Sequence, residues 1–152
     1  MDRVISLYHF TSKNNLKKII KDGYLRPFKS EMGKGIFLII NMDKNLIKKR
    51  FMVSAFGNYL IELNKNILTN RKDFYIREAL NDGFPVYHEL FGGKIVFDMK
   101  KDNKSKLNKV LKKLTLLNEV IFKNKISLKK YIKNIYIVKN KELIPLKNKY
   151  LS

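Results

Sequence analysis

Four short segments carry side chains of the types that bind or cleave a ligand. The first is Tyr8-His9-Phe10-Thr11. A histidine placed where a strand runs into a helix can hydrogen-bond a ligand. Backbone N–H groups and a hydroxyl at the same corner are free to meet an anion or an amide. The plain alternative is a half-buried strand histidine. The second is Gly33-Lys34-Gly35-Ile36-Phe37. Two glycines ahead of an apolar run let a ligand approach the backbone, although most such pairs only make a turn. The third is Asn118-Glu119, at the mouth of the apolar segment EVIF. A carboxylate there either ends in solvent or points into a cleft, where it stabilises developing positive charge. The fourth is His88-Glu89 in VYHELFGG. It has the chemistry of an acid/base dyad, but the glycines after it favour a surface loop or short helix.

The elements that must position these groups follow from periodicity. Residues 4–11 read as a first strand. Ser12 offers an N-cap; Leu16, Ile19 and Ile20 fall at helical spacing, and Gly23 stands where a helix ends. Residues 27–34 read as a polar loop and 36–40 (IFLII) as a buried strand. Asp43 is expected to cap a helix through about Phe51, and 58–64 to form a strand. The stretch 70–90 is ambiguous: a helix over Arg71–Leu80 is one reading of it, with a turn at Asp82-Gly83. Residues 94–99 form a strand. Leu107, Val110, Leu111, Leu114 and Leu117 predict a helix over 103–117 with lysines mostly off its apolar stripe. Residues 119–122, 134–138 and 142–146 read as strands, with a short helix over 127–133; Pro145 places the last strand at an edge. The pattern is α+β: early helices and an antiparallel, strand-rich remainder, in one domain over residues 1–152.

Composition narrows the chemistry. The chain has 152 residues, 45% hydrophobic and 12% aromatic, enough for a core without staples. It has no cysteine, so disulfides, thiolate metal sites and a cysteine nucleophile are excluded. Two histidines are too few for a histidine-rich metal centre. No apolar run is long enough to span a membrane, and the start has no secretory pattern, so a cytoplasmic protein with no membrane partner is expected. The net charge is +20, a field that attracts polyanions. Only Arg3, Arg26, Arg50, Arg71 and Arg77 are arginines, however, and the abundance of Lys, Asn and Ile matches an AT-rich coding source. The charge is therefore either functional or a product of coding bias and solubility.

Taken in order, three of these segments resemble the ADP-ribosyltransferase fold family, as in poly(ADP-ribose) polymerases and DNA-targeting bacterial toxins. LYHFTSKNNLKKIIKDGYLRP is similar to the family's opening strand, ending in His-x-Ser/Thr, and the helix after it. GKGIFL is similar to its Gly-Lys-Gly-Ile-Tyr-Phe motif. NEVIFKNKISLKKYI is similar to its third motif, in which a glutamate opens a strand. The likeness spans 6–40 and 118–138; 41–117 is not matched in detail. It implies a single compact domain with antiparallel strands in a split sheet and a few flanking helices. It also implies a mono-ADP-ribosyltransferase that uses NAD as substrate and no metal. By the resemblance, His9 holds a ribose of NAD, on the adenosine or the nicotinamide side. Phe10 and Thr11 lie where the nicotinamide amide is gripped, and Arg26 lies near the adenosine and phosphates. Gly35 and Phe37 belong to the second motif, Phe37 at its tyrosine position, and Glu119 is the catalytic glutamate.

The chain departs from the pattern at two places. Phe37 keeps a ring but lacks the hydroxyl. Leu117 stands where arginine-modifying transferases carry a glutamate, which argues against arginine as acceptor. The second stacking aromatic is Phe51, Phe56 or Tyr59, each of which is also a plausible core residue. The basic charge points to nucleic acid, or a protein acting on it, as acceptor. Small size and coding bias suit a bacterial toxin or a phage or mobile-element effector in a bacterial host cell. Two alternatives stand beside this one. An RNA 2′-phosphotransferase on the same fold would want more arginines. A non-catalytic basic module, inhibiting a nucleic-acid machine with a degenerate NAD pocket, would bind through the lysine face of the 103–117 helix and tolerate loss of Glu119.

Overall fold

A computed structural model describes residues 5–30, 33–41, 57–80, 95–113 and 117–146. The expected helix from Asp43, Phe51 and Phe56, the Asp82-Gly83 turn, the His88-Glu89 pair, and Arg3, Arg50 and Leu114 lie outside these residues.

The opening forms as its sequence dictates. Strand β1 (Ser6–Thr11) runs into helix α1 (Lys13–Asp22). The Ser12 hydroxyl accepts from the Asn15 N–H at 3.3 Å, and the Gly23 N–H donates to the Ile19 carbonyl at 2.8 Å. Gly23 has φ 83°, a left-handed conformation that a side chain would strain. Leu16 anchors the helix in the core.

The remaining elements are β2 (Tyr24–Leu25), β3 (Phe28–Ser30), β4 (Gly33–Asn41), β5 (Tyr59–Leu63), α2 (Ile67–Asn70), β6 (Phe74–Leu80), β7 (Ile95–Asp98), α3 (Lys104–Lys112), β8 (Leu117–Phe122), β9 (Ile126–Ser127), α4 (Leu128–Tyr131), β10 (Ile132–Lys139) and β11 (Glu142–Pro145). The architecture is α+β. Among the described residues, one large sheet has the order β11-β10-β5-β1-β4-β8-β6-β7, with β3 paired to β4; β2 and β9 form a small separate ladder. Every pairing among them is antiparallel. No helix among the described residues is long and apolar enough to cross a membrane.

Three expectations need correction. Residues 71–80 are not a helix: β6 runs through 74–80 between β7 and β8. Phe74 and Ile76 alternate with Tyr75 and Arg77, a period of two, and Phe74 lies 5.1 Å from Phe122 and 5.8 Å from Phe97, ring centre to ring centre. Burial between two strands outweighs the helical propensity of Arg-Glu-Ala-Leu. The 103–117 helix is shorter than expected. Asn103 caps it, the Lys113 N–H closes it on the Val110 carbonyl at 2.9 Å, and Leu117 already belongs to β8, opposite Leu80. Finally, residues 27–34 are not all loop, because β3 pairs with the start of β4. Pro145 does lie in the edge strand β11.

Register sorts the side chains into two faces, since residues directly opposite in a ladder share a side. One face carries Leu7, Leu63, Ile40, Leu38, Val120, Phe122, Phe74, Ile76, Ile61 and Ile135, which form the main core with Leu16, Leu107, Leu128 and Tyr131 from the helices. The other face carries a transverse row with more polar content. Glu62, Tyr8, Ile39, Glu119 and Arg77 lie side by side on β5, β1, β4, β8 and β6.

Candidate active site

The three segments singled out in the sequence form three neighbouring strands, β1, β4 and β8. Their ladders are unequal in length. β1 and β4 pair only through Ser6↔Asn41, Leu7↔Ile40 and Tyr8↔Ile39. β1 then continues with β5 to Thr11↔Tyr59, while β4 continues with β8 to Ile36↔Phe122. Beyond Tyr8 and Ile39 the two strands part, so the large sheet has a seam there.

His9 stands at this seam. Its Nδ1 lies 3.1 Å from the Phe37 carbonyl oxygen on β4. A carbonyl only accepts, so Nδ1 carries the proton and donates. Burial pushes the imidazole below its ordinary value, and the Phe37 carbonyl pulls the other way. A neutral ring bonded in this way leaves Nε2 as an acceptor.

Glu119 is 3% exposed and Arg77 7%. The Arg77 guanidinium donates to Glu119 Oε1 from Nε at 3.2 Å and from Nη2 at 2.5 Å. Both contacts fall on the same oxygen, so Oε2 takes no bond from Arg77. Burial raises the Glu119 carboxyl above its ordinary value, opposed by the Arg77 hydrogen bond and charge. The sequence does not reveal this partner, because residues 70–90 are ambiguous by pattern and only the strand register sets Arg77 opposite Glu119.

A second buried carboxylate was also missed. Glu62 accepts from the Tyr136 hydroxyl at 2.9 Å and from the Tyr8 hydroxyl at 3.3 Å, with Lys133 Nζ 3.9 Å away. Burial raises both phenols, Tyr136 to about 12. The signal was present in the sequence: Glu62 is the one charged residue within the apolar strand YLIEL.

The other expected site residues are placed as follows. Thr11 is buried, opposite Tyr59, and Phe10 is buried, opposite Leu60. Tyr59 itself belongs to the main core. Gly35 lies inside β4, where a Cβ would come within 2.5 Å of Ile121 Cγ2 and 3.2 Å of the Phe122 carbonyl oxygen. Strand packing accounts for this glycine. Phe37 is half-buried, opposite Ile121. Arg26 is exposed, pairs with Asp22 through two bonds of 2.6 and 3.0 Å, and lies 5.5 Å from the Tyr24 ring centre. By register, His9 shares the face of Leu7 and Ile61, whereas Glu119 shares the face of Tyr8. The structure thus brings the motif strands together and sets these two side chains on opposite faces beside the seam. No group of three or more His, Cys, Asp or Glu among the described residues is arranged to hold a metal ion.

Against this geometry, comparisons with known proteins give no lead: no protein family, curated protein or solved structure matches the chain.

Proposed function

We propose that the protein is a mono-ADP-ribosyltransferase of the ADP-ribosyltransferase fold, moving ADP-ribose from NAD to a nucleic acid or to a protein that acts on one. The observation that carries this reading is the adjacency of β1, β4 and β8. Segments from residues 6–11, 33–41 and 117–122 become neighbours in the order of the three resembling motifs.

In this reading, NAD enters at the seam. The neutral His9 accepts a ribose hydroxyl at Nε2, and the Phe37 ring packs on the nicotinamide. The bond between ribose C1′ and the nicotinamide nitrogen breaks, its electron pair leaves with nicotinamide, and oxocarbenium character builds on the ribose. Glu119 stabilises that charge through Oε2. Arg77 is a positioning residue: it holds Oε1 and opposes the rise that burial gives the carboxyl. The acceptor nucleophile then attacks C1′ and loses its proton. Arg26 reaches the phosphates only by giving up Asp22.

A second reading is favoured by a specific observation. Glu119 is buried in an ion pair, on the face opposite His9, which suits a non-catalytic basic binding module. Transfer of label from NAD to DNA, to RNA and to lysate proteins separates the two. Labelling of one acceptor class by the wild type, and not by Glu119→Gln, supports the transferase. A folded wild type that labels nothing leaves the binding module.

A further inference from the structure

We propose that the β3–β4 hairpin is a docking arm for single-stranded nucleic acid, with Phe28 as a base-stacking platform. Phe28 is 68% exposed, the most exposed large hydrophobic side chain among the described residues. It lies directly opposite Gly35, so no cross-strand side chain covers it. An aromatic left open in this way forgoes the burial that would stabilise the fold.

The charge around the ring identifies its partner. Lys29 lies directly opposite Lys34 on the other side of the hairpin, and both are exposed. Like charges facing each other across a ladder are destabilising, and neither lysine is in an ion pair among the described residues. Alternation turns the two lysines to the face opposite the ring, so a strand of bases and phosphates passing round the edge of the hairpin meets both: the ring takes a base face and the lysines take phosphates. An acidic peptide would use the lysines and leave the ring idle. Stacking and phosphate contacts do not read the 2′-hydroxyl, so DNA and RNA single strands should bind alike.

The arm is also well placed. Alternation along β4 puts Gly35, Phe37 and Ile39 on one face, and Ile39 lies opposite Glu119. Phe28 therefore shares the face of Glu119, about 13 Å from it along the strand at ~3.3 Å per residue. This inference rests on the transferase reading for what the arm does, namely presenting an acceptor. Its test needs no NAD, so the two can fail separately.

The test is fluorescence anisotropy with a labelled mixed-sequence oligonucleotide, as single-stranded DNA, single-stranded RNA and duplex DNA, over a salt series. Phe28→Ala should weaken single-strand binding about tenfold or more, and Phe28→Trp should preserve it. Lys29→Gln/Lys34→Gln should reduce the slope of log affinity against log salt by about 1.4, two contacts at ~0.7 each. Lys109→Gln/Lys112→Gln, on the exposed side of α3, is the control and should change the Phe28-dependent binding little. All five positions are exposed, so the variants should keep the wild-type circular dichroism. The proposal is overturned if Phe28→Ala binds like wild type, if duplex binds as tightly as single strands, if RNA and DNA differ by more than tenfold, or if the α3 variant carries the loss.

Discussion

Replacing Arg77 with methionine probes the site most severely. The change removes a buried guanidinium that meets Glu119 Oε1 through two nitrogens. Deleting one partner of a buried pair costs about 3–5 kcal/mol, because the other charge stays buried without compensation. A domain of this kind has only ~5–15 kcal/mol in total, so the loss is a large share. The cost should depend on pH, with a definite sign. Burial raises the Glu119 carboxyl and Arg77 holds it down; without Arg77 only the raising cause remains. The folded state of the variant then binds a proton more tightly than the unfolded chain. Stability is kept below the ordinary carboxylate value of 4.5 and is lost as pH rises through the raised folded value. Urea unfolding should therefore give the full deficit near pH ~8 and a smaller one near pH ~5. Adding Glu119→Leu removes both charges and should recover most of the loss. A deficit below about 1 kcal/mol, equal at both pH values, would refute the buried pair.

Three further outcomes follow from local geometry. Gly35→Ala forces a Cβ onto Ile121 Cγ2 and should cost about 1–3 kcal/mol in chemical denaturation, part of which Ile121→Ala returns in the double variant. Lys141 turns the β10–β11 hairpin at φ 62°, a left-handed conformation, so Lys141→Gly should raise stability by about 0.5–1 kcal/mol net of glycine's entropy; an unchanged or lower midpoint counts against it. The lowered His9 value predicts that its share of stability is complete above 6.5 and declines as pH falls from there towards the folded value, where the unfolded chain alone takes up the proton. His9→Gln should flatten that slope in a thermal-melt series, and an unaltered slope would assign it to other groups.

What the sequence made legible is local. The Ser12 cap, the Gly23 terminator and the apolar runs of β4, β5 and β8 are each set by a few neighbouring residues. What it hid is register. Arg77 and Glu119 are 42 residues apart, and only the β6–β8 ladder sets them face to face. The same ladder turned an apparent helix over 71–80 into a strand. The end of α3 has a different cause: the helix closes at Lys113, and Leu117, although it keeps the helical spacing, is claimed by strand pairing with Leu80. Gly35 fits both a ligand-approach motif and a close strand crossing, and spacing alone does not separate the two. Glu62 was legible and overlooked, a lone carboxylate in a strand whose five residues are all buried.

The most direct test of the proposed transferase is the rate of nicotinamide release from NAD by wild type, Glu119→Gln and Glu119→Asp, each first checked for folding by circular dichroism. The account predicts release by the wild type, a fall of about 10²–10³ in Glu119→Gln, and retained NAD binding in that variant. Equal release by wild type and Glu119→Gln, or no release by a folded wild type with any acceptor, would contradict it.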